Sequence, residues 1–217
     1  GNSAFTLLVA TTIPIYFNYL AGMEGISEVN YLAFWGYASS IATLLVAFLG
    51  PVFGTLADTK GFKKPIFLGS LLVGVGGLCV LSVPMGFVAF LVIFIIAKVG
   101  YSCSLVFYDA MLSDVTTPER MDEVSSQGYA WGYIGSCVPF VASLGLILGA
   151  DAIGISGTVA MMIAFFINAA WWVAVTLPLL RNYQQKYYVE AGGTNVRGIF
   201  SRLGEVFAEI RNSAAGI

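Results

Sequence analysis

A single lysine, Lys98, stands in an apolar run about ten residues from either end, roughly 15 Å from each membrane surface at the helical rise. A lysine stem cannot snorkel that far, and an ionisable side chain at such depth is a functional candidate by default. Ser102 and Asp109 share its face at helical spacing, and Tyr101 is adjacent to it. Such a cation can bind an anionic group, for instance a substrate carboxylate, or take part in proton coupling. The alternative is a structural pair with a carboxylate elsewhere. Thr12 and Tyr16, one turn apart in another apolar run, can hydrogen-bond a substrate or satisfy neighbouring helices. Asn168 is buried in a third run, and Pro14 is placed to break the first one locally.

Other chemistry is excluded by what is missing. The chain has no histidine, so Ser-His and Cys-His nucleophilic sites lack their base, and the commonest metal ligand is absent. Cys79, Cys103 and Cys137 form no CxxC pair and read as small buried hydrophobes. No GxxxxGK[ST] phosphate loop occurs. No catalytic residue, metal site or cofactor is expected, and the chain is not expected to be an enzyme.

The elements that must position these residues follow from composition. Of 217 residues, 58% are apolar and only 10% charged, against about 25% charged in soluble domains. Mean hydropathy is +0.85. The bilayer must be the solvent. Six stretches are long enough to span it, roughly 4–22, 31–56, 66–83, 88–110, 127–149 and 158–180. Short connections make neighbours antiparallel. Lys60, Lys63, Lys64, Arg120 and the tail bases fall on alternate loops, whereas the loops bearing Glu24, Glu28 and Asp151 have no base. Every base except Lys98 lies on one side, which places both chain ends in the cytoplasm.

Smaller features complete this reading. Gly128, Gly132 and Gly135, and again Gly145 and Gly149, follow a small-xxx-small pattern that predicts close helix packing. Thr117-Pro118 predicts a helix start. Asp114, Glu119, Asp122 and Glu123 are expected in solvent. Trp171 and Trp172 sit too deep for an interfacial belt, whereas Tyr31, Trp35, Tyr183, Tyr187 and Tyr188 fit the belts. Residues 1–180 form the six-helix bundle. Residues 181–217 form a cytoplasmic linker, with an amphipathic helix carrying Val196, Phe200, Leu203, Phe207 and Ile210 on one stripe.

The sharpest local pattern lies between the second and third spans: Gly54-Thr55-Leu56-Ala57-Asp58-Thr59-Lys60-Gly61-Phe62-Lys63-Lys64. Gly61 can supply the positive φ that a tight turn needs. This pattern resembles the signature loop of the major facilitator superfamily, with Thr59 and Phe62 where bases are usual. The resemblance implies that Gly54, Asp58, Gly61 and Lys63 brace the two halves of a transporter on the cytoplasmic side. Asp109 and Arg120 then become candidates for the same gate. Asn2-Ser3-Ala4-Phe5, Pro14-Ile15-Tyr16-Phe17, Phe107-Tyr108-Asp109-Ala110 and Pro118-Glu119-Arg120 further resemble the vacuole-effluxer-like branch. Fungal members of that branch are associated with export of neutral amino acids.

The resemblance implies an all-α fold in which the six helices form two inverted three-helix repeats, half of a major facilitator. The first and fourth helices then line a central cavity, which gathers Lys98, Tyr101, Ser102, Thr12 and Tyr16 as substrate or coupling residues. The expected activity is secondary transport of a small polar solute, amino acids among the candidates, by alternating access. The expected partners are the lipid bilayer, a small-molecule substrate, and a C-terminal six-helix half or a second copy, with no nucleic acid. The membrane is the bacterial inner membrane, or the vacuolar one if the chain is fungal. The abrupt stop at Ala214-Ala215-Gly216-Ile217 favours an excised half over a half-size protein. Two rivals fit less well. A voltage-gated channel would carry arginines within a span, and no span has one. Tyr108-Asp109 resembles one motif of intramembrane aspartyl proteases, but no second aspartate stands in a GxGD context.

Overall fold

The computed structural model describes residues 2–188. The amphipathic stripe of the linker lies outside the described residues. The chain runs α1 (Asn2–Ala10), α2 (Thr12–Met23), α3 (Glu28–Ala57), α4 (Lys63–Leu81), α5 (Phe87–Ala110), the single turn α6 (Leu112–Val115), α7 (Met121–Leu148) and α8 (Gly157–Asn182), with short 3-10 turns at Pro118–Arg120 and Asp151–Ile153. Five of the spans are long apolar helices or helix pairs, and α1 with α2 makes a sixth, bent by 44°. The bend has a local cause. Pro14 has no N–H to give the carbonyl of Ala10, four residues back, and its ring crowds that carbonyl. The helix therefore breaks at Thr11, whose backbone leaves the helical region (φ −128°, ψ −81°). The Thr11 hydroxyl donates to the Leu7 carbonyl at 2.6 Å.

The pairing of spans is that of an inverted repeat. The first span packs on the fifth and the second on the fourth; the third meets the fourth, and the sixth meets the first. Exchanging one three-helix repeat for the other carries each contact onto its counterpart. The third and sixth spans meet each other across the middle.

Lipid tails are as apolar as leucine, so helices in a bilayer associate through close packing and buried hydrogen bonds. The closest approach is between α4 and α5. A Cβ at Gly77 would stand 2.6 Å from the Ala97 Cβ, and one at Gly100 would stand 2.5 Å from the Gly74 backbone nitrogen. Next to this seam the Trp172 ring of α8 lies over Gly74. The glycines of α7 do something else: Gly135 and Gly145 have open space beside them, and Gly128 and Gly132 make looser contacts. The tight packing expected along α7 belongs instead to α4 and α5. On α7 and α8 the buried link is polar, with the Asn168 amide donating to the Ser143 hydroxyl at 2.9 Å.

An aromatic column fills the other half of the core. Phe17 stacks on Trp35 at 5.8 Å and on Phe90 at 6.0 Å, and Trp35 stacks on Phe94 at 4.3 Å. Trp35, half-buried, thus packs against the core. At the base-free end the Glu24 carboxylate accepts the backbone N–H of Phe87 at 3.0 Å. It satisfies one of the free donors that open α5 and complements the helix dipole.

These contacts predict opposite outcomes for two glycines. Gly100→Ala drives a methyl into the α4 backbone and should destabilise the bundle by about 1–3 kcal/mol. Gly76→Ala, with nothing within 4 Å of its Cβ position, should leave stability unchanged or raise it slightly. Thermal unfolding in detergent checks both; equal midpoints would remove the α4–α5 seam from the account.

Candidate functional site

At the end of the bundle that carries the bases, α3 stops at Ala57 and the chain turns back into α4 through Gly61, which has φ +79°. The turn seats Lys63 at the first position of α4, pointing inward and only 2% exposed. Its ammonium donates to the Asp114 carboxylate at 2.8 Å and to the Ala110 carbonyl at 3.1 Å. Asp114, in the single turn α6 that follows α5, is 1% exposed and not in solvent as expected. One carboxylate oxygen accepts from Lys63 and from the Tyr183 hydroxyl at 2.5 Å. The other accepts the backbone N–H groups of Lys186 and Tyr187 at 3.0 and 2.9 Å. Burial, then the Asp114 carboxylate, push the Tyr183 phenol above its ordinary value, so it remains a donor. Tyr183 is therefore a buried structural partner and not part of an aromatic belt.

Gln185 adds a second clamp on the same turn. Its side-chain oxygen accepts the Gly61 N–H at 2.9 Å, and its amide donates to the carbonyls of Ala57 and Thr59 at 3.1 and 3.3 Å. The Lys60 ammonium lies 4.8 Å from the centre of the Tyr188 ring. Residues 183–188 are thus strapped across the α3–α4 turn and the end of α5.

Other candidate gating residues lie apart from this joint. Gly54 supplies a carbonyl to the Asp58 N–H in the last turn of α3. Asp58 is exposed, and among the described residues it makes no ion pair. Arg120 is exposed and pairs with Glu123 three residues on, at 3.2 Å. Pro118 opens its 3-10 turn after Thr117, as the sequence predicts. Asp109 lines a cavity of about 460 Å³ between the start of α1 and parts of α5, α7 and α8. Asn2, Ser3, Ser125, Tyr129 and Thr176 share its walls.

The mid-membrane candidates divide in two. Tyr101 is held by neighbours: its hydroxyl and that of Thr6 are 2.7 Å apart, its ring stacks on Phe5 at 4.8 Å, and Trp172 meets it edge-on at 6.0 Å. Tyr16 is buried among Phe90 and Phe165, and Thr12 is buried beside Thr11. Lys98 is half-buried, and its ammonium stands 5.8 Å from the centre of the Phe94 ring one turn back. Among the described residues it makes no ion pair. Ser102 is half-buried on the same helix face. The sequence misses Asp114, Tyr183 and Gln185. The available signal was an aspartate in the turn after an apolar span, opposite a lysine that opens another.

Comparison with known proteins agrees with this architecture. The family model described as "Vacuole effluxer Atg22 like" matches residues 18–213. A Bacillus subtilis (strain 168) protein described as an uncharacterized MFS-type transporter, YxiO, is 37% identical over 220 residues, covering 99% of this chain. The chain spans about half the length of that relative, 51%. Family and relative are transporters and not enzymes, and six apolar spans make this an integral membrane protein. The chain belongs to the Atg22-like vacuole effluxer family and corresponds to half of a major facilitator fold.

Proposed function

We propose that this chain is the N-terminal six-helix half of a secondary active transporter that moves a small polar solute across a membrane by alternating access. One contrast carries the reading. The basic end of the bundle is closed by a buried ion pair, Lys63 with Asp114, whereas the half-buried Lys98 has no anionic partner among the described residues. A cation in a low-dielectric interior is costly without a counter-charge. A substrate carboxylate is the natural anion to meet it, and amino acids are the substrate class that provides one. A secondary active transporter draws its energy from a gradient.

The rest of the proposal concerns partners and setting. The relative is about twice as long, which favours a C-terminal half over a second copy of this chain. The second and fifth spans, α3 and α7, are the least enclosed of the bundle and offer the faces for that half. Asp58, exposed at the end of α3, is left to meet it. The bacterial inner membrane fits the source of the relative, and the positive-inside rule puts the basic end and both termini in the cytoplasm. In this reading the strapped joint at Lys63 and Asp114 keeps the basic end of the half rigid while the two halves rock.

Two measurements test the proposal. Lys98→Ala in the full-length protein should abolish amino-acid uptake into proteoliposomes while leaving insertion and thermal midpoint largely intact; unchanged uptake kinetics would rule out the role given to the lysine. Asp114→Asn leaves a buried lysine without its counter-charge and should cost about 3–5 kcal/mol of stability. Glu123→Gln, which removes the exposed ion pair with Arg120 and keeps an oxygen to accept from Gln127, should cost almost nothing. If the two variants unfold alike, the joint at the basic end is not a structural lock.

A further inference from the structure

The cavity at the basic end has a chemical character of its own. Asp109 is the only charged side chain among its lining residues. Among the described residues it makes no ion pair, although Lys63 and Arg120 lie on neighbouring elements and are paired elsewhere. Tyr108, Tyr129 and Trp131 also line the cavity, and all three are exposed aromatics. The Tyr129 hydroxyl faces the Asp109 carboxylate. A carboxylate that shares a cavity with three aromatic side chains favours a small organic cation, through a charge-assisted hydrogen bond and through ring quadrupoles.

The glycines of α7 explain why space exists there. Gly128 and Gly132 both line the cavity. A Cβ at Gly128 would come within 3.6 Å of the Tyr108 hydroxyl, and one at Gly132 within 3.3 Å of the Ser3 hydroxyl. At both glycines the nearest atoms across the gap are side-chain hydroxyls rather than backbone. Their lack of side chains keeps open a space of about 460 Å³, within the usual range for small-ligand sites.

Asp109 also lies on the stripe of α5 that carries Ser102 and Lys98, eleven residues and about 16 Å along the helix from the lysine. We infer that the Asp109 cavity is a binding site for a primary ammonium group, at the basic mouth of the path whose midpoint is Lys98. The assignment deepens the transporter reading by giving the ammonium end of the solute its own station. The binding step itself does not depend on transport. A free amine and the amine headgroup of a lipid share this chemistry, and the site is open to either.

The test is equilibrium binding of ethylammonium chloride to the full-length protein in phosphatidylcholine nanodiscs, followed by isothermal titration. The wild type should bind, and Asp109→Asn should weaken binding by roughly tenfold or more. Asp109 is exposed and makes no ion pair among the described residues, so this variant should unfold at the wild-type temperature. Gly128→Leu, which fills the space while keeping the carboxylate, should also block binding. Replacing part of the lipid with phosphatidylethanolamine separates the two amine sources. Competition assigns the site to the headgroup amine, and an unaltered isotherm assigns it to the soluble one. Wild-type affinity in either Asp109→Asn or Gly128→Leu would overturn the assignment. Lys98→Ala is expected to bind ethylammonium normally, so loss of transport in that variant and loss of binding in Asp109→Asn are independent results.

Discussion

An ionised carboxylate removed from water must have its lone pairs met by donors, or burial becomes too costly to sustain. Asp114 meets that demand with one ammonium, one phenol and two backbone N–H groups, drawn from two segments far from it in the chain. Because the donors are fixed in direction, the carboxylate fixes where the start of α4, the end of α5 and the chain leaving α8 must converge. The surroundings add Gln185, which ties the same departing chain to the α3–α4 turn. Four of the six spans are thereby registered against one another at one end. A hydrophobic cluster of Ala57, Phe67, Phe107, Met111 and Tyr183 packs around the joint and excludes water from it. The low dielectric that results strengthens each of these bonds and penalises any that is missing.

Away from that end the bundle relies on contact rather than charge. In lipid, apolar burial does not distinguish a helix partner from a fatty chain, so shape decides. The α4–α5 seam gains its intimacy from Gly74, Gly77, Ala97 and Gly100, and the aromatic column of Phe17, Trp35, Phe90 and Phe94 fills the wider gap alongside. Pro14 bends the first span between these two regions, so that α1 can reach α7 while α2 lies against α3. The bend and the seam solve one problem: a bundle of short-looped antiparallel helices has to leave room on one side while closing on the other.

Much of this was legible in the residue pattern, because the rules involved are local. Span length, the break before Pro14, the turn at Gly61 and the start at Pro118 depend on backbone chemistry within a few residues. What the pattern hid depends on partners distant in sequence. Asp114 looks like a loop carboxylate until Lys63, fifty-one positions earlier, and Tyr183, sixty-nine later, are brought beside it. Tyr183 has a belt-like position but core surroundings, because the partner that buries it, Asp114, is distant in sequence. The glycines of α7 carry the spacing of a packing motif, but that spacing cannot say whether a helix or an empty space lies opposite. The family resemblance implies that this turn braces two halves of a transporter; the contacts seen among the described residues lie within one half and run through Lys63.

The two faces of α5 show why such a bundle can hold charges in lipid without losing its shape. Phe90, Phe94, Ala97, Gly100, Ser104 and Phe107 form its buried side, and α4 grips that side through contacts too tight to admit a methyl group. Lys98, Ser102 and Asp109 lie on a different stripe of the same rigid helix. Turning α5 to let the lysine seek water would tear the α4–α5 seam apart, so the charged stripe is held in direction by packing on the face it does not share. At its far end Glu24 caps the helix, and at its near end the Asp114 joint pins it. A half-buried lysine on an element that cannot rotate keeps its direction. Packing on one face of α5 thus fixes where its polar stripe points, and that fixed direction is what the role proposed for Lys98 requires.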